Sequence, residues 1–204
     1  MVMKLAIMTK STFFVEEDKI LTALFEVGMD NLHLHKVGSS QLYSERLLSL
    51  IPSNFLSKII LHENLSLINE YKLAGVHLNN ASDMSPEGYK GVITRSCTDL
   101  NMLKNLKKKA NYVILHNIFD SIEYKGEKSS FTKEQLEEAA RSGLIDRHVY
   151  AMGGMGVNNI KIAKDLGFGG VVVCGDLWER FDIYAESDFK KVLTHFERLK
   201  KATG

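Results

Sequence analysis

Residues 149–176 read VYAMGGMGVNNIKIAKDLGFGGVVVCGD, and this stretch decides the fold. It opens on a short apolar run, Val149–Met152, turns through Gly153-Gly154-Met155-Gly156, and takes up helical spacing from about Asn158 to Gly167. It closes on the β-branched run Gly170–Cys174. A strand, a glycine turn, a helix and a second strand in that order make one parallel crossover unit, which is right-handed in nearly all proteins. Gly167 stands where a helix end commonly needs a left-handed residue.

Working outward, six further runs have the same character: Leu5–Thr9, Leu32–Lys36, Lys58–His62, Gly75–Leu78, Val92–Arg95 and Tyr112–Asn117. Helical spacing fills most of the gaps, as in Ile20, Leu21, Leu24, Phe25 and Val27 before Gly28, or Leu100, Leu103 and Leu106 among polar neighbours. Gly143 punctuates another helix end. Eight such units predict a closed (β/α)8 TIM barrel, one α/β domain over residues 1–204. The rival, a doubly wound open sheet, usually has fewer strands and a glycine-rich loop after the first; here Thr9-Lys10-Ser11-Thr12 follows instead. Two connections are less regular. Asn79–Lys90 reads as a loop, and the polar Phe119–Phe131, with Gly126, lies where a lid over the catalytic face is expected.

The composition fits one buried core and a local ligand. The chain has 204 residues, 45% of them hydrophobic, and 26 Lys+Arg against 25 Asp+Glu, so no global charge draws it to nucleic acid or an anionic membrane. Cys97 and Cys174 stand apart without a CxxC, which predicts no disulfide framework and no structural zinc, and fits a reducing cytoplasm. Only Leu5, Ala6, Ile7 and Met8 follow Lys4 as an apolar run, too short for a signal core or a membrane span. Lys104, Lys107, Lys108 and Lys109 read as a solvated helix face. A homo-oligomer remains compatible with all of this.

In a barrel, the chemistry belongs to the strand C-terminal ends. These are His33-Leu34-His35-Lys36, His62-Glu63-Asn64, His77-Leu78-Asn79-Asn80 with Asp83 soon after, Arg95-Ser96-Cys97-Thr98, His116-Asn117, the Gly153–Gly156 run, and Cys174-Gly175-Asp176. Clustered histidines suggest proton transfer or anion binding. Strand alternation could instead turn some into the helix layer. His33 and His35 share one side of their strand, which leaves inward and outward readings equally open; His77 beside Gly75-Val76 reads as packing. The glycine run either lets backbone N–H groups approach a phosphate, with Gly175-Asp176 completing the site, or is a tight turn. Glu63 and Asp83 offer hard oxygen ligands for Mg²⁺ shared with a substrate phosphate, or are two unconnected surface carboxylates.

Taken together, Gly75-Val76-His77-Leu78, Arg95-Ser96-Cys97, Asn111-Tyr112-Val113, Ala151-Met152-Gly153-Gly154-Met155 and Gly167-Phe168-Gly169-Gly170-Val171-Val172-Val173 resemble the thiamine phosphate synthase and thiazole tautomerase superfamily, from Lys4 to about Trp178. The resemblance implies small phosphorylated heterocyclic substrates and an Mg²⁺-assisted coupling of a pyrimidine methyl diphosphate to a thiazole phosphate, with release of pyrophosphate. It implies Glu63 and Asp83 as metal ligands. His33, His35, Lys36 and His62 would line the pyrimidine diphosphate, and Ser96 would donate to it. Ser121 and Glu123 would meet the thiazole phosphate, with Gly153, Gly154, Cys174 and Gly175 cradling it. Where the family carries a loop lysine this chain has Tyr124, with Lys125 as the neighbouring substitute. The family's Gln-Leu-Arg-x-Lys on strand two reads His33-Leu34-His35-Lys36-Val37, and its strand-three Asn-Asp reads His62-Glu63. The tautomerases of the same superfamily imply a catalytic histidine where Asn117 stands. His116 would take that role only if the strand end were kinked or slipped by one residue. A phosphate-binding paralogue without catalysis is the third implied reading.

Overall fold

A computed structural model describes residues 2–80, 82–180 and 189–204. Its strands β1 (Lys4–Met8), β2 (Leu32–Leu34), β3 (Ile59–Leu61), β4 (Gly75–Leu78), β5 (Val92–Cys97), β6 (Tyr112–Leu115), β7 (Val149–Met152) and β8 (Gly170–Val173) form a closed barrel in chain order. The ring closes where Lys4 to Ile7 run parallel to Gly170 to Val173. The (β/α)8 architecture expected from the strand spacing is therefore present. β1, β2, β3, β6 and β8 are one or two residues shorter than expected at their C-terminal ends, so His35, His62 and His116 stand just beyond their strands, at the rim.

Strand alternation sorts the apolar residues into two layers. Ala6 and Met8 of β1, Ile60, Tyr112, Ile114, Tyr150 and Val172 fill the barrel interior. Ile7 between them faces outward into the larger core under the helices. Helix α1 (Glu17–Glu26) shows the logic: Ile20, Leu21, Leu24 and Phe25 recur on one face and are buried there. Each such side chain contributes roughly 1.5–3 kcal/mol of burial. Gly28, at φ 96°, ends the segment in a conformation that a side chain would strain.

The remaining helices are α2 (Gln41–Leu50), α3 (Ser53–Leu56), α4 (Leu67–Glu70), α5 (Leu103–Leu106), α6 (Lys133–Arg141), α7 (Ile160–Asp165), α8 (Gly175–Trp178) and α9 (Phe189–Thr203). Two segments differ from simple alternation. Among the described residues no helix lies between β4 and β5, and the leucine-spaced segment after β5 divides into 3₁₀ turns on either side of α5. There Asp99 accepts from the Asn101 N–H and tightens the first turn. The basic run is largely exposed, with Lys107 tied to Asp146 at 2.7 Å. Trp178 Nε1 donates to the Met8 carbonyl at 2.7 Å, which pins α8 across the ends of β8 and β1. Among the described residues no helix is long and apolar enough to cross a membrane.

Candidate active site

The interior beneath the mouth is polar on one side. From β2, β3 and β4, His33, His62 and His77 point inward, with exposures of 0%, 5% and 1%. His33 Nε2 meets the Tyr112 hydroxyl at 2.7 Å, and His33 Nδ1 meets His62 Nε2 at 2.8 Å. The Tyr112 hydroxyl also contacts Asn31 Nδ2 at 3.0 Å. The His62 ring stacks on His77 with centroids 4.1 Å apart.

A second chain links Thr94, His77, Ser96 and His116. Thr94 Oγ1 meets His77 Nδ1 at 2.7 Å, His77 Nε2 meets Ser96 Oγ at 2.8 Å, and Ser96 Oγ meets His116 Nε2 at 2.8 Å, with the Val76 carbonyl a longer 3.4 Å from Thr94 Oγ1. Each hydroxyl–imidazole pair can share its proton in either direction, and His116 Nδ1 is the ring nitrogen outside the chain. Burial pushes the His33 pKa down to about 3, that of His116 down to about 4, and those of His62 and His77 well below the usual imidazole value. At pH 7 these rings are neutral donors and acceptors.

Above the network lie two adjoining cavities. One, of about 210 Å³, is bordered by His35, Val37, His62, Asn79, Ser96 and residues of the β1 end. The other, of about 190 Å³, is bordered by Asn117, Ser121, Gly153, Gly154, Gly175 and Asp176. His116, Glu123, Tyr124, Met152 and Cys174 face both. Among the described residues, neither wall contains a lysine or arginine.

The second cavity depends on glycine. A Cβ on Gly153 would lie 2.7 Å from the Asn117 backbone, and one on Gly154, at φ 61°, would press into the Asp120 carbonyl. The loop after β6 sits over both glycines. Ser130 N–H donates to the Asn117 carbonyl, Ser121 N–H to the Glu127 carbonyl, and Asp120 pairs with Lys128. Within the cavity Cys174 Sγ donates to Glu123 Oε2 at 3.4 Å. Burial first, then the Glu123 charge, pushes the Cys174 thiol far up, so it stays protonated and is no nucleophile. Asp176, on the floor, is held by His195 (2.6 Å) and Arg180 (3.0 Å).

No family model matches the chain, and no curated protein sequence matches it. Among solved structures, the crystal structure of thiamine phosphate pyrophosphorylase from Bacteroides thetaiotaomicron is 43% identical over 98% of this chain and 97% of that one, with a TM-score of 0.87. The chain belongs to the thiamine phosphate pyrophosphorylase family. A thiamine phosphate pyrophosphorylase from Pyrococcus furiosus shares the fold at 17% identity, covering 99% of this chain and 98% of its own, with a TM-score of 0.73. A 3-hexulose-6-phosphate synthase shares it at 12% identity, covering 98% and 99%, with a TM-score of 0.59.

Against the residue roles implied for the thiamine phosphate pyrophosphorylase family, the structure brings His35, His62, Ser96, His116, Ser121, Glu123, Tyr124, Gly153, Gly154, Cys174 and Gly175 to the two cavities. It places others elsewhere. His33 lies a layer lower in the barrel, bonded to Tyr112 and His62. Lys36 turns away from the mouth: its ammonium, 1% exposed, binds Glu17 at 2.6 Å and the Lys10 and Thr12 carbonyls at 2.9 Å. Burial pushes Glu17 up to about 7 and Lys36 down, and their contact opposes both shifts. Lys125 is exposed on the outside of the loop. Asp83 is spent on a local turn, accepting from the Asn80 N–H at 2.8 Å. Glu63 instead accepts from His35 Nδ1 at 2.7 Å, if that nitrogen carries the proton, and from the Lys36 N–H at 2.8 Å.

His116 needs neither kink nor slip. Tyr112, Ile114 and His116 fall on one side by simple alternation, and Tyr112 and Ile114 are interior residues. Asn117, at φ 57°, also reaches the glycine-walled cavity. Sequence reasoning gave no site role to Tyr112, Thr94, Asn31, Thr9 or Met152, and named Asn79 only as part of the strand-four end. Counting back by twos from His116 and Ser96 finds Tyr112 and Thr94, whereas Asn31 and Thr9 carry no local signal.

Proposed function

We propose that the protein is a thiamine phosphate synthase-like transferase: it joins hydroxymethylpyrimidine diphosphate to thiazole phosphate and releases pyrophosphate. What carries this reading, beyond family membership, is the pair of adjoining cavities of similar size, about 210 and 190 Å³, that share one wall. A two-substrate condensation needs two seats with their reactive atoms facing each other.

In this reading the thiazole phosphate takes the glycine-walled seat. There the backbone at Gly153, Gly154 and Gly175 approaches closely and Ser121 supplies a hydroxyl. The pyrimidine diphosphate takes the seat bordered by His35, His62, Asn79 and Ser96. The bond from the pyrimidine methylene carbon to the diphosphate oxygen breaks and the oxygen keeps the electron pair. The thiazole ring nitrogen then bonds to that carbon with its own lone pair. Met152 offers an apolar wall between the seats, and the loop at 118–131 keeps water from the electron-poor carbon.

Mg²⁺, the cofactor that the family resemblance implies, prefers six oxygen ligands. The groups gathered at Glu63 are the imidazoles of His35 and His62, while Asp83 is engaged at Asn80. That donor set does not suit Mg²⁺.

A direct test incubates the purified protein with both half-substrates and each of Mg²⁺, Mn²⁺, Co²⁺ and Zn²⁺, following thiamine phosphate and pyrophosphate by chromatography. Equal amounts of the two products are expected. No product with any metal would refute the coupling. The place of His116 between both cavities favours a second reading, thiazole phosphate tautomerisation with His116 as the proton carrier. Metal-independent exchange of the substrate proton into deuterium oxide would select it.

A further inference from the structure

We propose that His35, His62 and Glu63 form a binding site for a borderline divalent transition metal, of the zinc or cobalt kind, at the β2–β3 corner of the mouth. One donor atom from each of the three lies within 4.8 Å of the others. Donors around such an ion sit about 2.0–2.2 Å from it, so closing the site needs shifts of about an ångström.

Two overlapping histidine groups have metal-like spacing, and hydrogen bonding separates them. In the deeper group, His33, His62 and His77, both ring nitrogens of His33 and both of His77 are already bonded. In the upper group His35 Nδ1 and Glu63 Oε1 are bonded to each other, a contact an ion would replace, and Glu63 Oε2 accepts from the Lys36 N–H. His62 Nδ1 is buried with no well-formed hydrogen bond, although the Asn79 side chain acts on the ring. His35 and His62 both face the cavity, which leaves positions open for a substrate oxygen.

The network below fixes which nitrogen of His62 a metal would meet. His62 Nε2 is held by His33 Nδ1, whose Nε2 meets the Tyr112 hydroxyl, which in turn accepts from Asn31 Nδ2. His62 Nδ1 is the nitrogen outside this network, and an ion there binds the ring in the form that carries its proton on Nε2. Metal-bound histidines are commonly oriented through the other ring nitrogen in this way.

Two imidazoles and one carboxylate favour zinc or cobalt over magnesium. Among the described residues both cavity walls lack lysine and arginine, which gives such an ion a task, since a departing diphosphate needs a cation. That last step rests on the proposed reaction. Metal binding does not, and it is read without turnover.

The test strips the full-length protein with a chelator, dialyses it, and titrates it separately with zinc, cobalt and magnesium chloride by calorimetry. The visible spectrum of the cobalt form is recorded alongside. One equivalent of Zn²⁺ or Co²⁺ should bind at least 100-fold more tightly than Mg²⁺, and cobalt should show the intense bands of four- or five-fold coordination. His35→Gln and Glu63→Gln, at side chains 27% and 24% exposed, should each weaken Zn²⁺ at least 10-fold with an unchanged far-ultraviolet spectrum. Binding of Mg²⁺ as tight as that of Zn²⁺ would overturn the proposal. So would full Zn²⁺ affinity in both variants, which would place the ion elsewhere, as at His195 beside Asp176.

Discussion

The two halves of the barrel interior are built from different chemistry. Strands β2 to β5 turn His33, His62, His77, Thr94 and Ser96 inward, linked by bonds of 2.7–2.8 Å. Strands β6 to β8 and β1 turn Ile114, Tyr150, Met152, Val172, Ala6 and Met8 inward, an apolar filling of the kind usual in these barrels, with the Tyr112 hydroxyl of β6 reaching across to His33. Above the polar half, the mouth offers side-chain nitrogens and oxygens. Above the apolar half, it offers glycine backbone. A buried polar group without a partner costs about 1–3 kcal/mol, so the polar half stands only because its partners are supplied around the ring. The contrast teaches that the two cavities of one mouth are built by different means: mainly side chains around one, and closely approaching glycine backbone with Asn117, Ser121 and Asp176 around the other.

The sharpest way to break the contrast acts on the backbone seat. Gly154→Val would force a side chain against the Asp120 carbonyl at a φ that valine rarely adopts. Thiazole phosphate affinity, measured by calorimetry, should fall by about 100-fold or more, and normal affinity would show that the phosphate seat lies elsewhere. On the polar side, His77→Leu keeps the volume roughly but takes one hydrogen-bond partner from each of the Thr94 and Ser96 hydroxyls. Chemical denaturation should show a loss of about 2–4 kcal/mol. A neutral result would mean that the network is decoration.

The smallest effect is one of pH. Burial depresses the His116 pKa to about 4 in the fold, against 6.5 unfolded. Below pH 6.5 the unfolded chain therefore binds the proton more readily. The stability from keeping His116 neutral is fully present above 6.5 and is lost as the pH falls towards 4. His116→Gln can still donate to Ser96 but does not titrate. Between pH 7 and 4.5 the wild type should lose on the order of 1–2 kcal/mol more than the variant, a figure discounted because the ring borders the open mouth. Parallel acid limbs in a urea series would contradict this.

Much of the scaffold was legible in the chain. The β-branched runs located all eight strands, because fully buried parallel strands need continuous apolar sequence. Strand ends then identified most of the cavity residues. The failures have physical causes. Lys36 was misread because its partner, Glu17, lies nineteen residues upstream, and no local pattern reports a buried ion pair across two elements. For Asp83 the residues leave metal ligand and surface carboxylate equally open, because a carboxylate three residues after Asn80 can serve the local backbone as readily as a metal. His116 was misjudged through an assumption about register that alternation from Tyr112 would have corrected.

The central claim is that one mouth holds two phosphorylated half-substrates in two differently built seats. A crystal soaked with thiazole phosphate and a non-reactive pyrimidine diphosphate analogue tests it most directly. The account predicts thiazole phosphate against Gly153, Gly154 and Gly175, the pyrimidine by His35, His62 and Ser96, and the reacting atoms adjacent beside Met152 and His116. Both ligands in one cavity, or neither ligand at the mouth, would contradict it.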